Sequence, residues 1–301
     1  MAAPMAGRPW CLFTTAGDRN ATRLWLEGGG RQWELVVGYY GDDGHTYSEL
    51  TKISSHAFRA KGGKWQILKK FLAGSPQFFD RYSYVWVCDD DIIMSAAQIN
   101  EAFAISDRLG FWIAQPAFSL RGKISHAINK YPGPDADYRA VNFIEENTPI
   151  FRRDKLIPFM ASYDGSTTGY GNDWWYMNFF KAHELGHFRN FFNANDLGRF
   201  AIIDRIQVVN PHDEEKGARE IDRIKPESER IAEWRGAMAR HGLVEFPHKT
   251  FASCKMASRN GPKMSVTTVD VARRIAGSAV RKLVWKFNKL TAGWRGRRKI
   301  D

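Results

Sequence analysis

Two short stretches hold residues whose types and spacing could do chemistry. Asp89-Asp90-Asp91 directly follows the apolar run "YVWVC", and His183-Glu184-x-x-His187 places two imidazoles four residues apart around a carboxylate. Three carboxylates at the mouth of a buried strand repel one another, and keeping them ionised requires a cation or basic partners. Hard oxygens of this kind suit Mg²⁺ or Mn²⁺ bridging to a diphosphate. On a helix, the two histidines would share a face and grip one Zn²⁺, with Glu184 activating a bound water.

Each motif has competing readings. Asp89 or Asp91 could simply cap the turn after the strand. A phosphatase-type Asp-x-Asp would use its first Asp as nucleophile, but that pattern sits on a first strand with Thr two residues on. Here two or three strands precede it and Ile93 stands at the Thr position. A zinc peptidase needs a third ligand. In the extended His-Glu-x-x-His-x-x-Gly-x-x-His form, Asn190 and Asn193 occupy the Gly and third His positions, and Glu214 and Glu215 lie in a charged run. The plainer expectation is a helix from near Trp174 that runs out at "HELGHFRN", with Gly186 as C-terminal cap and the histidines complementing the helix dipole.

The elements that must position these residues follow from periodicity. "PWCLFTT", "QWELVVGYY", "YSYVWVC" and "RFAIIDRIQVV" are apolar, β-rich runs that read as buried strands, with "FWIAQPAFS" a further candidate interrupted by Pro116. "KGGKWQILKKFLAGS" has helical spacing, as does "SAAQINEAFAISDRLG", with Ser95 as N-cap and Gly110 at its end. "NTPIFRRDKLIPFM" suggests a strand and then a helix start, and residues 121–148 read as loop-rich. Strands alternating with helices point to an α/β fold with a mixed, mostly parallel sheet. Ligands bind beyond the carboxyl ends of such strands. Three strands end in polar turns, at Asp18–Arg19, Asp42–Asp43 and Asp89–Asp91, which puts one polar site along one edge.

The chain has 301 residues and a net charge of +11. Residues 271–301 hold ten Lys/Arg against one acid, a balance of +9, so the body is near +2. That distribution argues against a nucleic-acid groove. The tail instead reads as a basic amphipathic helix for an anionic membrane surface, with Ile275, Ala279, Leu283, Phe287, Leu290 and Trp294 at three- or four-residue spacing. Three cysteines without CxxC spacing, no secretory leader and no apolar run long enough to span a bilayer suggest a cytoplasmic protein, peripheral on the membrane. The expected division is a catalytic domain over 1–215, a helical extension over 216–262 that packs on it, and the tail over 263–301.

Lys64-Trp65, Lys69 and Phe71-Leu72, then Asp89-Asp90-Asp91, Tyr170-Gly171-Asn172-Asp173 and Ile203-Asp204 form an ordered set. Across about residues 10 to 215, that set resembles a plant and bacterial domain-of-unknown-function family that looks like GT-A-type glycosyltransferases. The resemblance implies a GT-A-like fold, a nucleoside-diphosphate sugar as donor and transfer to a hydroxyl acceptor, such as a glycan or lipid-linked acceptor. It implies Mn²⁺ or Mg²⁺ on Asp89 and Asp91, with His212 or the nearby Asn210 at the third metal position. Asp173 would be the general base, with an N-cap as its bland alternative. Asp18, Arg19, Asp42, Lys64 and Asp90 would seat the nucleotide. A non-catalytic nucleotide- or carbohydrate-binding module is the alternative from another class, and the zinc peptidase a minor one.

Overall fold

The computed structural model describes residues 9–28, 30–185, 199–213 and 220–256. The basic tail from 257, His187, Gly186, Asn190, Asn193, Glu214 and Glu215 lie outside the described residues.

The expected strands form because their apolar residues are continuous enough to be covered on both faces. β1 (Trp10–Ala16), β2 (Trp33–Tyr39) and β4 (Tyr84–Asp89) are buried along almost their whole length. They pair in parallel, with β1 between β2 and β4. The short β3 (His56–Arg59) extends the sheet beyond β2. On the other side, β7 (Ile150–Arg152) runs antiparallel to both β4 and β5 (Ile113–Phe118). β8 (Phe200–Val208) is parallel to β5, and β6 (Tyr138–Val141) is antiparallel to β8. With β9 (Thr250–Cys254) the order is β3-β2-β1-β4-β7-β5-β8-β6-β9. Of β1 to β8, six therefore run one way, giving the mixed, mostly parallel sheet flanked by helices that was expected.

Pro116 does not interrupt β5. The β5–β8 register jumps between Pro116 and Ala117, from Ile203 to Gln207, and this irregularity accommodates a residue that cannot donate to the ladder.

Helices cover both faces. α2 (Lys64–Gly74), α4 (Arg153–Ser162) and α5 (Asn172–Phe179) enclose an aromatic core with Trp65, Phe151, Phe159 and Tyr176 packed edge to face. α3 (Ala96–Leu109) covers the opposite face, where Phe103 stacks on Trp10 and meets Trp86 edge-on. α3 starts at Ser95, which forms a capping box with Gln98, and ends at Gly110 in the left-handed region, as its sequence indicates. α1 (Gly44–Ile53) is capped by Asp43.

α5 is shorter than expected. It ends at Phe179, Lys181 adopts φ 54°, and Ala182–Glu184 form only a 3₁₀ turn before an extended Leu185. α5 therefore does not continue as a helix through His183 and Glu184.

Two further helices, α6 (Glu220–Ile224) and α7 (Glu227–His241), lie between β8 and β9. They belong to the same compact unit as the sheet, Met1–Ser253. α7 packs on the loop 164–171. Glu233 accepts the Thr168 N–H at 2.9 Å, Arg240 donates to Ser166 at 2.7 Å, and His241 pairs with Asp164 at 2.8 Å. Among the described residues no helix is long and apolar enough to cross a membrane.

Candidate active site

The three polar turns are tied to one another at the carboxyl edge. Asp18 receives the Tyr39 hydroxyl and the backbone N–H groups of Asp43 at 3.2 Å and Asp42 at 3.4 Å. The Tyr39 hydroxyl, first of these, and the two amides hold the Asp18 carboxyl below its usual range. Burial and the Asp18 carboxylate push Tyr39 up to about 12. Asp42 is exposed and pairs with Lys61 at 2.8 Å. Arg19 is exposed in the turn after β1.

The Asp triplet divides its labour. Asp90 points inward, where it accepts the Gly17 N–H at 2.9 Å and the Tyr40 hydroxyl at 3.4 Å. Burial, then the Asp91 and Asp89 charges, push its pKa well above the ordinary carboxylate range. Asp90 thus locks the β1 turn to the β4 turn. Asp89 accepts a charged hydrogen bond from Lys64 at 2.5 Å, and Lys64 also reaches the Glu146 carbonyl.

Lys64 opens α2, where a cation opposes the helix dipole. Burial works to lower its pKa, but Asp89 and Glu146 outweigh it and raise it. Its side chain is 9% exposed, so it is a buried ion-pair partner and no ordinary surface lysine.

Asp173 is not the N-cap of α5. Gly171 caps that helix at φ 89°, and Asp173 is buried one residue inside it, with Oδ1 accepting the Trp174 N–H at 2.8 Å. A Cβ on Gly171 would lie 2.2 Å from the Trp234 ring of α7, so only glycine fits both the backbone and the contact. Burial pushes the Asp173 carboxyl up to about 7.

The sequence reading did not single out Glu145 and Glu146. Glu146 Oε2 is buried without a hydrogen-bond partner, and burial with the Asp173 charge raises its pKa well above normal. Glu145, pushed up to about 7 by burial and Asp173, accepts from Asn129 and from Asn147 at 2.9 Å. Two acids inside the apolar stretch "VNFIEENTPIF" were the available signal. Lys64 is the cation common to this group, since its charge bears on Asp89, Glu146 and Asp173.

Past β8, Asn210 is buried and its carbonyl accepts the Lys123 N–H at 2.7 Å, while His212 is exposed. Asp204 is buried in a bidentate pair with Arg139. Among the described residues no three His, Cys, Asp or Glu side chains are gathered to hold a metal ion.

No protein-family model matches the chain, and no curated protein matches it in sequence. Solved structures do. The chain is similar to S. aureus TarS residues 1–349, with 10% identity and a TM-score of 0.48 over 77% of this chain and 72% of that one. The same TarS fragment in complex with UDP-GlcNAc gives 11% identity and a TM-score of 0.44 at the same coverage. GalNAc-T7 with UDP, GalNAc and Mn²⁺ gives 10% identity and a TM-score of 0.46 over 67% of this chain and 43% of that one. Likeness at this level carries no argument about the reaction, which rests on the geometry of the edge itself.

Proposed function

We propose that the protein is a glycosyltransferase of GT-A type, moving a sugar from a nucleoside diphosphate to a hydroxyl acceptor. The observation that carries this reading is Lys64. Its buried ammonium ties the Asp89 end of β4, where a diphosphate would be met, to the backbone of Glu146, whose side chain feels the charge of the buried Asp173. Transfer to a hydroxyl needs a donor site with a base near it.

In this reading the nucleoside lies over the β1 and β2 turns, where Asp18 and Asp42 end their strands. Asp90 fixes the spacing of those turns. Asp173 in its ionised form takes the proton from the acceptor hydroxyl, and the low-dielectric surroundings keep water from competing. Lys64 meets the diphosphate as a point charge.

The donor set fits a hard divalent cation. Asp89 and Asp91 supply carboxylate oxygens, and Mg²⁺-type sites commonly use one or two carboxylates completed by substrate phosphates. Such an ion would neutralise the leaving diphosphate. His212 is not gathered with the two carboxylates, so we assign the remaining positions to phosphate oxygens.

The test is calorimetric titration of UDP, GDP and CMP, each with and without Mn²⁺, on wild type and Asp91→Asn, followed by turnover of the matching sugar nucleotides. Asp91→Asn is expected to abolish Mn²⁺-dependent binding; binding and turnover that persist remove the metal assignment. Binding without turnover of any donor by the wild type would mark a non-catalytic module. We also assign residues 263–301 to an anionic membrane surface, on charge and spacing alone. Co-sedimentation with phosphatidylglycerol vesicles should be lost in a chain ending at Met256, and equal sedimentation of both would refute the assignment.

A further inference from the structure

Behind Asp173 lies a cluster that the transfer step above does not use. Asp173 is hemmed in, with Oδ1 held by the Trp174 N–H. Its Oδ2 faces Nε2 of His126 at 3.9 Å. Asp173 has a side-chain exposure of 9%, against 28% for His126, so the neighbouring imidazole reaches solvent more than the carboxyl does.

His126 is held in place by aromatic contacts. It packs on Phe143 at 4.8 Å and meets His248 edge-on at 5.0 Å. His248 is itself clasped between Phe143, at 4.0 Å and 26°, and Trp174, at 5.1 Å and 25°. Its Nε2 is buried without a hydrogen-bond partner. Burial pushes His248 down to about 4, so it fences His126 as a neutral wall.

A buried base has a difficulty that an exposed one lacks. Once Asp173 has taken a proton, burial favours keeping it, and the next cycle cannot start until the proton leaves. We propose that His126 is the outlet: Asp173 passes the acceptor's proton from Oδ2 to Nε2 of His126, and the ring releases a proton to water. This rests on the assignment of Asp173 as base. The balance is complete. The acceptor oxygen forms the bond to the sugar carbon, the carbon–oxygen bond to the diphosphate breaks with its electron pair, and the acceptor proton goes from oxygen to carboxylate to imidazole to solvent. His126 acts through Asp173 and touches no substrate.

The other charged and titratable groups around Asp173 do not offer the same exit. Glu145 and Glu146 are acids whose protons burial retains, and Lys64 is committed to Asp89. Glu245 is engaged by the Trp234 indole at 2.8 Å, and Tyr170 and Tyr176 keep their protons, burial raising both above the ordinary phenol. Burial lowers His126, which favours release of its proton to water.

The test uses the full chain. His126→Gln is expected to lower kcat by about tenfold or more while both KM values stay within about twofold, since the loss concerns a proton step. His126→Ala should lose activity similarly and regain it in imidazole buffer, which a packing role would not allow. In ¹⁵N-histidine NMR of the wild type, the His126 resonance should titrate with a midpoint that moves in Asp173→Asn. Wild-type rate and pH profile in His126→Gln, or an unmoved His126 midpoint in Asp173→Asn, would overturn the proposal. If the wild type turns over no sugar nucleotide, the glycosyl-transfer reading falls, and the NMR comparison alone decides whether the Asp173–His126 proton couple exists.

Discussion

Asp173 is a carboxyl that burial drives toward its neutral form, and two measurements expose this. Its pKa rises from the ordinary 3.8 to about 7, so the folded state binds a proton that the unfolded chain has released. Stability from this group is complete below pH 3.8 and falls away as pH rises toward 7. Asp173→Asn should therefore be more stable than the wild type at pH 8, by roughly 4 °C in melting temperature. That advantage should close between pH 7 and pH 4 in a calorimetric series. As a base, the carboxyl works only when ionised. Wild-type kcat should rise about tenfold per pH unit below 7 and level off above it, and Asp173→Asn should lose about 10²–10⁴ in kcat with donor affinity kept. At Lys64 the expectation differs: Lys64→Met leaves Asp89 without its cation, so donor binding should weaken by tenfold or more, roughly the worth of one charged hydrogen bond, in the same calorimetric titration. Which of these residues could be read in advance follows from distance along the chain. Asp18, Asp42 and Asp89 stand at strand ends, where the apolar run itself marks the spot. Glu146 and His126 come near Asp173, and His248 near His126, only because segments far apart in the chain fold over one another, and no local pattern encodes that encounter.

At the scale of elements, apolar continuity made β1, β2, β4 and β8 legible, and Ser95 and Gly110 marked both ends of α3. β3 and β6 are four residues each, too short for any periodicity to appear, and their pairing comes from neighbours, whereas the strand-then-helix reading of "NTPIFRRDKLIPFM" matches β7 and α4. The end of α5 was hidden for another reason. "NFFKAHEL" has acceptable helix formers throughout, yet Lys181 turns into the left-handed region, a tertiary choice against local propensity. The consequence for His183-Glu184-x-x-His187 is direct, because five residues matching a motif carry chemistry only on the helix that gives them a common face. The glycine that starts α5 invites a sharper test. Gly171→Ala must strain a φ of 89° and displace the Trp234 ring, and should cost more than about 2 kcal/mol in urea unfolding.

At the scale of the molecule, the helices between β8 and β9 are part of the site's construction. α7 braces the Asp173 loop through Glu233, Arg240, His241 and Trp234, and Trp234 is 1% exposed. Trp234→Ala should cost about 3–5 kcal/mol. Hydrogen exchange should then quicken at 167–173 while the buried strands β1 and β2 stay protected. The charge distribution belongs to this scale as well: with most of the excess in the last thirty-one residues, ionic strength should alter surface association far more than donor affinity.

Where α2 begins, a methyl group on Gly63 would sit 1.9 Å from the Thr168 carbonyl oxygen. The backbone that carries Lys64 and the loop that leads to Asp173 are therefore in direct contact, with no side chain between them to absorb a shift. On the proposed reading, substitutions in residues 164–171 should shift donor affinity along with acceptor preference. Selections for altered acceptor scope should return compensating changes at 61–64, and libraries that vary the two segments together should outperform those that vary either alone.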